Sequence, residues 1–197
     1  MIFIYKLIAH RGMHDKYIKE NTYDAIKNAL DSDKFVGVEF DVRETLDKEF
    51  ILYHDALYNN KLIKNTKYRE FPKYVPKLCD ILKIKSNKMF LIEIKNVSNF
   101  DRLIKLLNKY SDKNIYVMSF SNKIIFKMDV INRKYKLGIL NYVLNTSKNI
   151  KKLDFVGILN SLLNDDIVNK LDNLEIFSYG GIENKKYKDI YYITDNK

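Results

Sequence analysis

The residues able to do chemistry sit in four short stretches, each bound to an apolar run. "YKLIAHRG" ends on His10 and Arg11, "VGVEFDVR" carries Glu39 and Asp41, "FILYHDA" ends on His54 and Asp55, and "FLIEIKN" carries Glu93 and Lys95. Glu39 and Asp41 are two positions apart, as are Glu93 and Lys95, and on a strand such residues point to the same side. Two carboxylates on one inward side repel each other and lose hydration, which is costly unless a cation lies between them. Glu39, Asp41 and Glu93 are hard oxygen donors suited to one divalent cation, Mg2+ or Ca2+. No cysteine and no third strand-end histidine argues for zinc. Arg11 and Lys95 can hold the non-bridging oxygens of a phosphate, the arginine in bidentate fashion. His10 and His54 titrate near neutral pH, so one can take a proton while the other gives one. Cation, basic side chains and an acid–base pair are what in-line displacement at a phosphodiester needs.

Taken singly, each stretch has a plainer reading. An E-x-D pair is usually a solvated edge, Asp55 can cap a turn, Lys95 can leave its strand for solvent, and His10 can be a satisfied core histidine. Their conjunction at strand ends is what points to a site.

The elements that must position them follow from hydrophobic periodicity. Strand-like runs fall at 2–9, 35–42, 50–54, 89–94, 115–120, 137–140, 155–159, 174–179 and 190–194, with helical patterns at 22–31, 77–85, 99–110, 122–135 and 165–172. Strand–helix alternation means parallel crossovers, and the predicted fold is a small (β/α)8 barrel with short loops and little or no capping insertion, as one domain over 1–197. The C-terminal ends of parallel barrel strands converge at one mouth, which explains why apolar strands end on reactive residues. There is one strand candidate too many for eight units, and 42–54 is too short to hold a crossover helix. Two strands are therefore joined irregularly there, or one lies outside the barrel. A doubly wound open sheet is the alternative architecture.

Composition narrows the partners. The formal charge is +10, from 35 basic and 25 acidic residues, but only five of the basic residues are arginines and no block of like charge appears. Lysine, asparagine, isoleucine and tyrosine are all abundant, so compositional bias accounts for most of the excess. The expected partner is a small-molecule phosphodiester, not nucleic acid; a basic protein binding nucleic acid or a membrane surface rests on charge alone. No run of about 18 apolar residues offers a transmembrane span, leaving at most weak membrane-surface association. "MIFIYKLIAHRG" reads as a strand, not a signal peptide. The single cysteine, Cys79, cannot form an internal disulfide and reads as a structural thiol, which fits a cytoplasmic location. His14 reads as a solvated loop residue.

The motifs together resemble those of the glycerophosphodiester phosphodiesterase family. In order they are His10-Arg11-Gly12, Glu20-Asn21-Thr22, Glu39/Asp41, His54-Asp55, Glu93/Lys95 and Ser119-Phe120. "VPKLCDIL" at 75–82 resembles the family's Pro-x-Leu helix start, and "YYITDNK" at 191–197 resembles its closing strand with Thr-Asp. The resemblance implies a (β/α)8 barrel that hydrolyses a glycerophosphodiester to an alcohol and sn-glycerol 3-phosphate. By resemblance, His10 and His54 are the acid–base pair, and Glu39, Asp41 and Glu93 bind the divalent cation. Arg11 and Lys95 contact the phosphate, Glu20 and Asn21 support the substrate site, and Ser119-Phe120 form a wall of it. A lyase of the same superfamily, stopping at a cyclic phosphate, is the alternative. The chain departs from the family in four ways. Lys19 replaces a proline, "LYNNKL" lacks an arginine, "IFSYGGIEN" at 176–184 replaces a tryptophan-containing stretch, and the segment between His54 and Pro76 is short. These changes bear on the substrate rather than on the chemistry.

Overall fold

The computed structural model describes residues 5–141, 153–181 and 187–195. Residues 2–4 of the first strand candidate, 182–184 of "IFSYGGIEN" and 196–197 of "YYITDNK" lie outside the described residues. Strands buried on both faces set the architecture. In the strand Met89–Asn96, Met89, Leu91 and Glu93 face one way and Phe90, Ile92 and Ile94 the other, and all six are buried. A strand covered on both sides belongs in a parallel sheet with helices outside it.

Eight strands form such a sheet. They are β1 (Lys6–Ala9), β2 (Gly37–Glu44), β6 (Met89–Asn96), β7 (Asn114–Ser119), β8 (Lys136–Asn141), β9 (Phe155–Leu159), β10 (Glu175–Tyr179) and β11 (Tyr191–Thr194). All pair in parallel, each with its chain neighbour in that series, and β1 pairs with both β2 and β11, so the sheet closes into the barrel. The helices α1 (Tyr23–Asp31), α2 (Leu78–Ile81), α3 (Phe100–Lys109), α4 (Asn122–Met128) and α5 (Asp165–Lys170) lie between strands. The barrel interior is filled by Ile8, Leu91, Tyr116, Phe155, Phe177 and their neighbours. A larger apolar layer, including Ile26, Phe90, Leu103 and Leu107, lies between strands and helices. Gly138 makes room inside: a Cβ there would lie 2.4 Å from the ring of Phe155.

The surplus strand is β3 (Phe50–Leu52). It runs antiparallel to β2, with Val42 opposite Leu52 and Glu44 opposite Phe50. Strand β2 therefore continues past the barrel rim, turns through Thr45–Glu49, and β3 brings the chain back. No crossover helix is needed, because this connection is a hairpin. After it, a two-stranded ribbon, β4 (Leu57–Tyr58) and β5 (Lys61–Leu62), packs beside a small cluster of Ile51, Ile63, Phe71 and Val75.

Two helical patterns shorten. The expected helix over 77–85 is a single turn, α2, continued by an Ile84 N–H bond to Ile81. The expected helix over 122–135 ends at Met128. Met128 and Tyr135 are both buried, and their seven-residue spacing mimics a helix face. Tyr135 reaches the core from a turn instead, its hydroxyl donating to the Met128 carbonyl at 2.7 Å.

Candidate active site

Strands β1, β2 and β6 bring their polar ends to one side of the barrel mouth. Asp41 lies opposite Glu93 in the β2–β6 register. One carboxylate oxygen from each of Glu39, Asp41 and Glu93 lies within 4.8 Å of the other two, and all three residues are buried. Beyond this point the register shifts: Val42 pairs with Ile94, but Arg43 pairs with Asn96. Lys95 is thus the extra residue of a bulge, a device that re-aims a side chain. Its ammonium lies 2.7 Å from Glu93 Oε1 and 3.2 Å from Asp41 Oδ1.

This cluster is short of positive charge. Burial, then repulsion from Asp41 and Glu93, pushes the Glu39 carboxyl well up; the Arg11 N–H and Lys95 offset this only in part. Burial likewise raises Glu93, against the pull of Lys95. Lys95 and the Arg11 guanidinium, whose Nε lies 3.4 Å from Asp41 Oδ2, contribute two charges against three carboxylates, and Arg11 also pairs with Glu20. A buried set of hard oxygens with that deficit fits a divalent cation such as Mg2+ or Ca2+.

The loop after β1 is shaped around the same carboxylates. Arg11 takes a left-handed backbone (φ 54°), which costs roughly 1 kcal/mol. Its N–H donates to Glu39 Oε2 at 2.9 Å, and its guanidinium Nη1 donates to both oxygens of Glu20 at 2.9 and 3.0 Å. Gly12 follows at φ 86°, where a Cβ would lie 2.6 Å from the backbone of Ala25 on α1. Asn21, also left-handed, clamps Asp41 from both ends: its amide donates to Asp41 Oδ2 at 2.8 Å and its carbonyl accepts from Asp41 N at 3.0 Å.

Both strand-end histidines are held by a carboxylate. His10 Nδ1 donates to Asp195 Oδ1 at 2.8 Å, and His54 Nδ1 donates to Asp55 Oδ1 at 2.9 Å. A carboxylate only accepts, so each Nδ1 carries the proton and each Nε2 is left for chemistry. His10 Nε2 lies 3.9 Å from Glu39 Oε2. Burial lowers the His10 pKa, partly offset by Asp195, which favours the neutral ring.

A cleft of about 240 Å³ is lined by His10, Arg11, Glu39, His54, Glu93 and Lys95. Its apolar lining is Met118, Phe120, Leu140, Tyr179 and Ile193, with Phe120 edge-on to Tyr179. A second cleft of about 400 Å³ lies on the other side of His54, lined by Glu20, Asn21, Tyr53, Asp55 and Tyr74 among others. Glu20 and Asn21 therefore reach the first cleft only through Arg11 and Asp41. Ser119 does not line it either: it is buried, and its hydroxyl donates to the Ile94 carbonyl at 2.7 Å, so it braces the strand end rather than facing a substrate. His14 is half-buried, its Nε2 3.6 Å from Asp195 Oδ1, rather than solvated. Cys79 is half-buried on α2, consistent with a structural thiol.

A sequence model of the glycerophosphoryl diester phosphodiesterase family matches residues 10–175. The chain belongs to that family. A comparison with curated proteins finds no match. Among solved structures, a glycerophosphodiester phosphodiesterase from Parabacteroides distasonis superposes with a TM-score of 0.80 at 19% identity, covering 98% of this chain and 93% of that one. The enzyme from Thermotoga maritima gives 0.78 at 22% identity, covering 97% and 94%. A phosphodiesterase from Oleispira antarctica, solved with the product sn-glycerol-3-phosphate, gives 0.79 at 15% identity, covering 96% and 93%. At such identities the likeness speaks to the fold.

In this family member four site features carry no sequence signal of their own. His54 is delivered not by a parallel barrel strand but by the antiparallel return of β3, where Tyr53 N–H donates to the Asp41 carbonyl at 3.1 Å. Arg43 places Nε and Nη2 on the His54 carbonyl at 2.9 and 2.7 Å. Asp195, quoted above only as part of a closing Thr-Asp, holds His10. The apolar wall residues Met118, Leu140 and Ile193 look like any strand core in the sequence.

Proposed function

We propose that this chain hydrolyses a glycerophosphodiester to an alcohol and sn-glycerol 3-phosphate, with a divalent cation held by Glu39, Asp41 and Glu93. The observation that carries this reading is the pairing of two Nδ1-anchored imidazoles with three crowded carboxylates around one cleft. When bound, the cation neutralises charge on the phosphoryl oxygens. Lys95 and the half-buried Arg11 guanidinium supply further positive charge for the non-bridging oxygens.

His10, neutral with its Nε2 bare, takes the proton of the attacking hydroxyl. As the new O–P bond forms, the P–O bond to the alcohol breaks. His54 serves as the acid, giving a proton from Nε2 to the departing oxygen. Attack by the substrate's own glycerol hydroxyl yields a cyclic phosphate that water then opens, with the histidines exchanging roles. The chain works as one barrel domain over 1–197, and its one free cysteine suits the cytoplasm. No helix among the described residues is long and apolar enough to cross a membrane.

The test is release of glycerol 3-phosphate from a glycerophosphodiester with Mg2+ or Ca2+ supplied. His10→Ala and His54→Ala should each lower kcat by roughly a hundredfold or more. Full activity in either variant would remove the acid–base assignment.

A further inference from the structure

We propose that Arg43 is a positioning residue for His54, fixing the imidazole at the cleft by gripping its backbone carbonyl. This rests on the reading that His54 protonates the departing alcohol. After Leu52 the chain leaves β3, and the His54 carbonyl has left the ladder that would supply its donor. Arg43 replaces that donor with two, Nε and Nη2 converging on one oxygen at 2.9 and 2.7 Å. The Tyr53 N–H bond to Asp41 fixes the preceding residue. The His54 backbone is thus held on both flanks by β2, two residues apart, on the strand that also carries Glu39 and Asp41.

Placement follows from the hairpin. Arg43 is two positions beyond Asp41 on β2, at the step where β6 inserts Lys95 and the register shifts. It is half-buried, with Asp41, Asp55 and Glu93 near enough to act on its charge. A planar fork can hold one carbonyl from two nitrogens, which a lysine ammonium does not reproduce. Among the described residues the His54 ring bonds its sequence neighbour Asp55, which moves with it. Arg43 is therefore the side chain that ties the His54 segment to the rigid barrel.

The experiment compares two glycerophosphodiesters, one with an alkyl alcohol as leaving group and one with p-nitrophenol. An alkoxide needs a proton to depart and nitrophenolate does not, so misplacing the acid harms the first substrate selectively. Arg43→Gln and Arg43→Lys should lower kcat on the alkyl diester by roughly tenfold to a hundredfold with KM little changed. The nitrophenyl diester should lose less than about threefold. Imidazole NMR of the same variants should show the His54 ring signals shifted or broadened and those of His10 in place. Equal losses on both diesters, no loss on either, or unmoved His54 signals would each overturn the role of Arg43 while leaving the phosphodiesterase reading intact. A wild-type chain inactive on both diesters would overturn the reading itself, and this inference with it.

Discussion

At the scale of single residues, the site is a set of charges that do not balance without help. Glu39 illustrates it: the residue is buried beside two other carboxylates, and a single ammonium and one backbone N–H answer it. Glu39→Gln should therefore stabilise the metal-free protein by about 1 kcal/mol, or roughly 2–4 °C in melting temperature for a chain of this size, and at the same time abolish turnover. Differential scanning fluorimetry in EDTA checks the first half; a drop in melting temperature would show that the cluster is not strained. Asp195 holds the His10 ring at Nδ1. Asp195→Asn keeps a side chain at Nδ1 but lets the ring adopt the wrong tautomer, and kcat should fall by about tenfold or more with little change in melting temperature. Unchanged kcat would mean that His10 does not need its partner.

What the sequence could reveal at this scale was the interruption of apolar runs by charge. His10, Arg11, Glu39, Asp41, His54, Glu93 and Lys95 all stand out that way; the folded chain brings six of them to one cleft and sets Asp41 in the carboxylate cluster beside it. Ser119 is singled out only by the family resemblance, and its hydroxyl is used on the backbone. Arg43 and the apolar wall were not legible. The target of Arg43 is a carbonyl, which every residue has, and Met118 or Leu140 at a strand end is the same letter as Met118 or Leu140 in a core.

At the scale of elements, the overrun of β2 and its return as β3 is what separates this mouth from eight equivalent strand ends. The overrun is anchored by Glu44. Its carboxylate is buried and accepts from Ser98 N, from Ser98 Oγ at 2.8 Å and from Asn99 N at 3.2 Å, at the start of α3. Burial alone would raise its pKa, but these hydrogen bonds outweigh it and hold the group below its ordinary value of 4.5. A carboxyl lowered on folding adds stability above the unfolded pKa and loses it as pH falls through the folded one. Glu44→Gln should accordingly cost about 1–2 kcal/mol near pH 7 in urea unfolding, and the difference from wild type should shrink below pH 4.5. A difference that persists at acid pH would contradict this. Eight strands were legible as apolar runs, since both faces are buried. The direction of β3 was not, because a three-residue apolar run looks the same whether it runs parallel or antiparallel; only the short spacing from β2 hinted at a hairpin. The lengths of α2 and α4 failed because buried residues reached from turns can imitate helical spacing.

At the scale of the whole molecule, the barrel has a chemical end and a structural end. The chemical end gathers the carboxylates and histidines. At the other, Lys136 lies 2.8 Å from both Tyr116 Oη and Glu175 Oε2, and burial helps push the Tyr116 hydroxyl up to about 12. Lys136→Met should lower stability by no more than about 1 kcal/mol, because the pair is partly exposed, and leave kcat unchanged. The excess of basic residues is spread over this frame and adds a field that favours anionic substrates.

On the proposed function, Glu39, Asp41 and Glu93 hold a divalent cation where a glycerophosphodiester is split. Phosphorus NMR of such a diester incubated with the protein tests it most directly. With Mg2+ or Ca2+ present, the diester signal should give way to that of sn-glycerol 3-phosphate, directly or through a transient cyclic phosphate. EDTA should stop the conversion, and added metal should restore it. A diester signal that persists with metal supplied, or a conversion that proceeds unchanged in EDTA, would contradict the account.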